Sequence, residues 1–214
     1  MNIVEDKRIL RMKIWRLLEA EGVARFPLPI RGRIPNFEGS ERAAQMVKNL
    51  KEWEEAGVVF ANPDSPQRTV RELALREGKT LIMATPRLRQ GYLEVKPVHG
   101  RERVQSTISG AFKYGRRIDE PFKPDLVVTG CVAVDTYGWR LGKGGGYGDR
   151  EIKEALRFGR VPILTTVHEL QIVSAVPHEE HDTKVDYIIT PNRIIKCRGY
   201  RMEETSSQNG GFSR

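Results

Sequence analysis

At 214 residues with a formal net charge of +8, the chain is long enough for one well-buried core and short for two full domains. Hydrophobic residues make up 39% and charged residues 30%, and no apolar run has the length of a bilayer span, which argues against a helical membrane protein. The positive balance points to anionic partners, and nucleic acid, polyphosphate and anionic cofactors satisfy it equally.

Residues Glu5 to Glu21 place Leu10, Ile14, Leu17 and Leu18 on one helical face and crowd Lys7, Arg8, Arg11 and Lys13 at its beginning, predicting a helix with a basic entry. Neither an apolar signal core nor a small-residue cleavage site is visible there, so the expected location is the cytoplasm. Pro27, Pro29 and Pro35 break any helix between Arg25 and Pro35 and predict an extended loop. Ser40 is suited to cap a second helix that carries Ala43, Met46, Val47, Leu50 and Trp53 on one face and stops at Gly57 before the strand Val58-Val59-Phe60. The pattern then repeats, with Ser65-Pro66 opening a helix, Gly78 closing it and Thr80 to Ala84 following as a buried strand.

The weakly periodic, basic stretch from Arg87 to Lys123 predicts loops with a short strand pair at most. Further strands are expected at Asp125 to Thr129, Val132 to Val134, Val161 to Thr166 and Val185 to Thr190, with a helix between Asp149 and Phe158. Such alternation predicts an α/β fold with a mainly parallel open sheet covered by helices. Ligands of these sheets gather beyond the carboxyl ends of the strands, which directs attention to the loops after Ala84, Val134 and Thr166. We expect one domain over residues 1–202 and a polar tail over residues 203–214. Cys131 and Cys197 are too few for a disulfide framework or a zinc site and read as ordinary thiols.

The most informative segment runs from Val132 to Arg150. A strand delivers Asp135, a turn follows, and five glycines in the seven positions from Gly142 to Gly148 lead into a helix. Glycines let backbone amides approach phosphate oxygens, and the helix start adds partial positive charge directed the same way. Lys143 is placed to neutralise a phosphate held there, and Asp135 and Asp149 then suit a magnesium ion between carboxylate and phosphate. The loop matches neither the Walker pattern nor Gly-x-Gly-x-x-Gly, so those two nucleotide-binding readings lose their main support.

Several blocks along the chain resemble the 5-formyltetrahydrofolate cyclo-ligase family. The family's Ala-x-Asp, Gly-x-Arg-Leu-Gly, glycine-rich loop and Tyr-x-Asp are similar to Ala133-Val134-Asp135, Gly138 to Gly142, Gly144 to Gly146 and Tyr147-Gly148-Asp149. Its Lys-x-x-Leu-Arg resembles Lys7 to Arg11, and its Pro-x-x-x-His-Asp resembles Pro177 to Asp182. The resemblance implies a three-layer α/β/α sandwich of Rossmann-like, cyclo-ligase type. It also implies ATP and magnesium as cofactors, bound by Lys7, Arg11, Arg140, Lys143, Gly144, Gly145, Gly146, Tyr147 and Asp149, with Asp135 and Asp149 as metal ligands. The implied substrate is a small molecule, a reduced folate or related pterin of one-carbon metabolism. In the family's reaction, the formyl oxygen of 5-formyltetrahydrofolate is phosphorylated and the ring closes to 5,10-methenyltetrahydrofolate, with no covalent catalytic residue assigned.

Two positions depart from the family pattern: its Glu-x-x-Thr is replaced by Pro66-Gln67-Arg68-Thr69, and its Tyr-Tyr-Asp by Tyr147-Gly148-Asp149. Thr85-Pro86-Arg87-Leu88-Arg89-Gln90-Gly91 is similar to a segment of the divergent cyclo-ligase-like branch, and Arg87 and Arg89 are candidates to bind a substrate phosphate or carboxylate as a fork. Alternative readings are a member of this branch that binds nucleotide or RNA without the ligase reaction, or one that acts on another heterocycle.

Overall fold

The computed structural model describes residues 2–118 and 122–198; the tail expected at 203–214 lies outside the described residues. Helix α1 (Ile3–Ala20) is capped by the Asn2 side chain, which accepts from the Val4 amide, and buries Ile14, Trp15 and Leu18. A two-stranded ribbon, β1 (Ala24–Arg25) with β2 (Asn36–Phe37), closes the proline-rich segment. The helix expected from Ser40 to Gly57 is divided: α2 (Ser40–Met46) and a turn of 3-10 helix are followed by Leu50 in extended conformation, and α3 (Lys51–Glu55) starts afresh. This corner keeps both Val47 and Trp53 buried against the sheet, which one straight helix would have to do along its whole length.

Strand β3 (Val58–Ala61) leads through a 3-10 turn into α4 (Arg68–Arg76), and β4 (Thr80–Ala84) follows. Gly78 adopts a φ of 78°, the left-handed geometry that ends helices at glycine. The stretch expected as loops holds more order: β5 (Tyr92–Val95) and β6 (Arg116–Ile118) form the strand pair, with α5 (Glu102–Gln105) and α6 (Ile108–Tyr114) between them. The order continues with β7 (Leu126–Thr129), β8 (Ala133–Asp135), β9 (Arg140–Leu141), α7 (Tyr147–Ala155), β10 (Ile163–Thr166), β11 (Ile172–Val173), β12 (Tyr187–Ile189) and β13 (Ile194–Lys196).

The main sheet has eight strands in the order β13-β12-β10-β7-β3-β4-β5-β6. Strands β12, β10, β7, β3 and β4 are parallel, whereas β5 and the edge strands β13 and β6 run antiparallel to their neighbours. Alternation of side chains divides the core between the two faces. Val59, Ala61, Leu81 and Met83 pack under α2 to α4, whereas Phe60, Ile82 and Val127 pack against Ile152 and Ala155 of α7. Each fully buried Leu, Ile or Phe in these layers stabilises the fold by about 2 kcal/mol.

The strand expected at Val132 to Val134 leaves the main sheet and pairs with β9 and β11 in a small sheet of its own. That sheet packs on α1, so Val132, Ala133 and Leu141 share a core with Ile14, Trp15 and Leu18. From β3 the chain first builds β4 on one side and then crosses to β7 on the other. This reversal opens a crevice beyond the carboxyl ends of β3 and β7, the usual ligand position in doubly wound sheets.

Candidate functional site

Two cavities flank the glycine loop. The larger, about 540 Å³, lies over the crevice and is lined by Asn62, Asp64, Gly130, Lys143, Tyr147 and Glu151 among others. The smaller, about 330 Å³, lies on the α1 side and is lined by Lys7, Arg11, Gly144 and Lys153 among others. Arg140, Gly142, Gly146 and Asp149 face both.

The loop takes its shape from glycine geometry and from α1. Gly144 has a φ of 110° and Gly146 one of 67°, and Gly146 starts α7 in the left-handed region. Arg11 Nε donates to the Gly142 carbonyl at 2.7 Å, tying helix to loop. One turn earlier, Lys7 Nζ reaches Asp182 at 2.6 Å and Glu179 at 2.8 Å. Burial disfavours the charge on Lys7, yet its hydrogen bonds to Asp182 and Glu179 hold its pKa above the ordinary value.

At the wall between the cavities, Arg140 is almost wholly buried and Nη2 donates to Asp149 Oδ1 at 2.8 Å and to Thr183 Oγ1 at 3.0 Å. Asp149 Oδ1 also accepts from the Thr183 hydroxyl at 2.8 Å and the Thr183 amide at 3.2 Å. The buried Nε of Arg140 has no partner among the described residues. A Cβ at Gly148 would stand 3.1 Å from the Arg140 guanidinium, so a larger residue there requires that side chain to shift. Lys143 Nζ pairs with Asp64 across the larger cavity at 2.8 Å.

The structure brings Lys7, Arg11, Arg140, Lys143, Gly144, Gly145, Gly146, Tyr147 and Asp149 to this pair of cavities. Asp135 stands apart from the expected metal site. It is buried, its Oδ1 accepts from the amides of Tyr137 and Trp139 at 3.0 and 3.1 Å, and its Oδ2 accepts from the Val176 amide at 2.9 Å. Its oxygens are committed to closing a turn and pinning a neighbouring loop, and it lines neither cavity. Arg87, at a φ of 57°, lines the larger cavity, but Arg89 does not, so the two arginines make no fork there. Trp139 stacks on His178, with centroids 3.8 Å apart, and is not free to receive a ligand ring. The thiols are inert: burial pushes Cys131 up to about 11 and Cys197 up to about 12.

Three residues of the larger cavity escape sequence reasoning: Asn62, Asp64 and Glu151. Asn62-Pro63-Asp64 directly follows β3 at the crevice, a position that the strand assignment makes visible. Glu151 sits on the inward face of α7 beside Ile152, only 3% exposed, and accepts a hydrogen bond from the Asn62 side-chain amide. Burial, followed by the nearby charge of Asp64, pushes its carboxyl up to about 8, against the opposing influence of Arg140 and Lys143. No helix among the described residues is long and apolar enough to cross a membrane.

Comparison with known proteins identifies relatives of the chain. The sequence pattern of the 5-formyltetrahydrofolate cyclo-ligase family matches residues 3–191. The chain is 41% identical over 204 residues to the human "Methenyltetrahydrofolate synthase domain-containing protein", covering 89% of this chain and 53% of that protein. The cattle protein of the same name is 40% identical over the same shares, so the chain spans about half the length of these curated relatives. A "5-formyltetrahydrofolate cyclo-ligase" of Escherichia coli strain K12 is 36% identical over 70 residues, which is 33% of this chain and 38% of that one. Among solved structures, the 5,10-methenyltetrahydrofolate synthetase of Aquifex aeolicus superposes with a TM-score of 0.60 at 21% identity, covering 95% of this chain and 98% of the other, which shows a shared fold. With the family pattern extending through the strands, the glycine loop and α7 alike, this chain belongs to the 5-formyltetrahydrofolate cyclo-ligase family.

Proposed function

We propose that the chain binds ATP with magnesium across the glycine loop and uses it to close a ring in a reduced folate or closely related pterin. The observation that carries this reading is the Arg140–Asp149 wall, which holds a phosphate-type loop between two cavities of ligand size.

The residues fit a polyphosphate. The loop has no side chains at Gly144 to Gly146, the nine-residue helix α7 begins there, and Lys143 and Arg11 stand on either side of it. They also fit magnesium at one carboxylate: Asp149 Oδ1 is taken by Arg140 and Thr183, whereas Oδ2 accepts no hydrogen bond among the described residues and is available to a hard cation. Asp135, buried with both oxygens hydrogen-bonded to backbone amides and lining neither cavity, does not fit. When bound, ATP supplies the phosphoryl group that activates a substrate oxygen, and magnesium offsets the phosphate charge.

The chain's own contribution is position and electrostatics. Arg140 fixes the Asp149 rotamer, Arg11 fixes the loop backbone, and Lys143 places a mobile positive charge over the cavity where phosphoryl oxygens develop charge. The name of the Escherichia coli relative supports the ligase reading. Purified protein mixed with 5-formyltetrahydrofolate, ATP and magnesium should produce methenyltetrahydrofolate absorbance, and Asp149→Asn should lower the rate at least a hundredfold. No ATP-dependent signal from protein that binds ATP would contradict the reading.

A further inference from the structure

The geometry points to Glu151, positioned by Asn62, as the group that receives the donor edge of the heterocycle, a ring N–H beside an exocyclic amino group, in the larger cavity. This rests on the reading of the site as one for a nucleotide and a second, heterocyclic substrate, and it assigns the second substrate its cavity and its contact.

Glu151 occupies an inward position of α7, where Ile152 and Ala155 also face the core, so an apolar residue would pack there without penalty. Among the described residues its carboxyl nevertheless accepts only one hydrogen bond, from Asn62 Nδ2, and has no ion pair with any lysine or arginine. Asn62 itself is held firmly. Its amide donates to the Val128 carbonyl at 3.1 Å, and its carbonyl accepts from the buried Arg71 guanidinium. With Nδ2 committed to Glu151, the Oδ1 of Asn62 is left buried without a partner among the described residues, and so is Gln67 Oε1, 2.7 Å from where a Gly130 Cβ would stand.

At the carboxyl ends of β3 and β7 the cavity wall thus carries two buried acceptors that await a donor, Asn62 Oδ1 and Gln67 Oε1 beside Gly130. Buried acceptors without partners are uncommon in folded proteins and mark places where a water or a ligand completes the network. Once it gives up its proton, a carboxyl flanked by an amide and facing a cavity matches a planar edge that presents two adjacent N–H donors, as a 2-amino-4-oxo heterocycle does. The larger cavity is thus assigned to the heterocycle of the second substrate.

The test compares ligands that differ only in the 2-amino group, titrated calorimetrically into wild type and into Glu151→Gln in the presence of a non-hydrolysable ATP analogue and magnesium. The pairs are 5-formyltetrahydrofolate with its 2-desamino analogue, and guanosine with inosine. Wild type should prefer the 2-amino partner at least tenfold and Glu151→Gln should bring that ratio near one, with affinity for the ATP analogue unchanged in both. If the folate pair fails to bind while the guanosine preference is present and is lost in Glu151→Gln, the folate reading fails and the assignment of Glu151 stands. A wild type that binds the ATP analogue but discriminates neither pair, or a Glu151→Gln variant that keeps the full preference, would overturn the assignment and leave an ordered water as the partner of these acceptors.

Discussion

Replacing Glu151 by Gln should make the protein more stable, and by an amount that depends on pH. The native carboxyl is held near 8, above its ordinary value of 4.5, because burial disfavours its charge. Below pH 4.5 the group is protonated in both folded and unfolded chains and has no ionisation cost. Between 4.5 and 8 the unfolded chain ionises while the folded one keeps its proton, so stability falls as pH rises through this window. At about 1.4 kcal/mol per pH unit, the handicap reaches about 3 kcal/mol at pH 7 and about 5 kcal/mol above pH 8. Gln cannot ionise, and its side-chain oxygen accepts the same Asn62 hydrogen bond. Urea unfolding from pH 6 to pH 9 should therefore show the variant gaining on wild type by about 1.4 kcal/mol per pH unit up to pH 8 and levelling off beyond. At pH 7 its midpoint of thermal unfolding should be roughly 6–12 °C higher. A stability difference that stays constant from pH 6 to pH 9 would refute the reasoning and place the Glu151 charge in a solvated setting. Stability gained by removing a group from a ligand cavity is the usual signature of a residue kept for function.

Asp135→Ala should cost about 3–5 kcal/mol in urea unfolding, because three backbone amides lose their acceptor, and the protein that remains folded should bind ATP with wild-type affinity. Lys143→Ala should leave stability within about 0.5 kcal/mol, since its pair with Asp64 is largely at the surface, while weakening ATP binding about tenfold in calorimetry. Gly148→Tyr, which would recreate the resembled pattern, should push the Arg140 guanidinium off Asp149 and lower stability by about 1–3 kcal/mol, measured by thermal unfolding. Arg87→Ala should weaken substrate binding in a direct titration, whereas Arg89→Ala should leave it unchanged.

Much of this arrangement was legible in the residues. The alternation of helices and apolar runs located the five parallel strands within a few positions, because each is buried on both faces and carries an uninterrupted apolar signal. The glycine loop and the basic residues of α1 were also visible, since glycine density and charge spacing are local properties. What escaped is non-local or too short. Helices α5 and α6 span four and seven residues, fewer than the turns that periodicity needs to emerge. The corner at Leu50 depends on the sheet beneath it. Asp135 misled because a carboxylate after a strand suits both a metal ligand and a turn staple, and only the positions of the Tyr137, Trp139 and Val176 amides separate the two. Glu151 was hidden because a glutamate in a helix reads as solvated, and its partner Asn62 lies 89 positions away.

The ties made by α1 also bear on how the protein reaches its working state. Lys7 finds Asp182 at a sequence separation of 175 residues, and Arg11 finds the Gly142 carbonyl at a separation of 131. A helix made early in synthesis must therefore wait, its basic side chains unpaired, while the sheet, the loop and the segment around Asp182 are added. Contacts of such length are closed late because their entropy cost precedes their reward. The smaller cavity thus comes into being only when the two ends of the described chain meet, and local opening of α1 is enough to dissolve it while the central sheet stays folded.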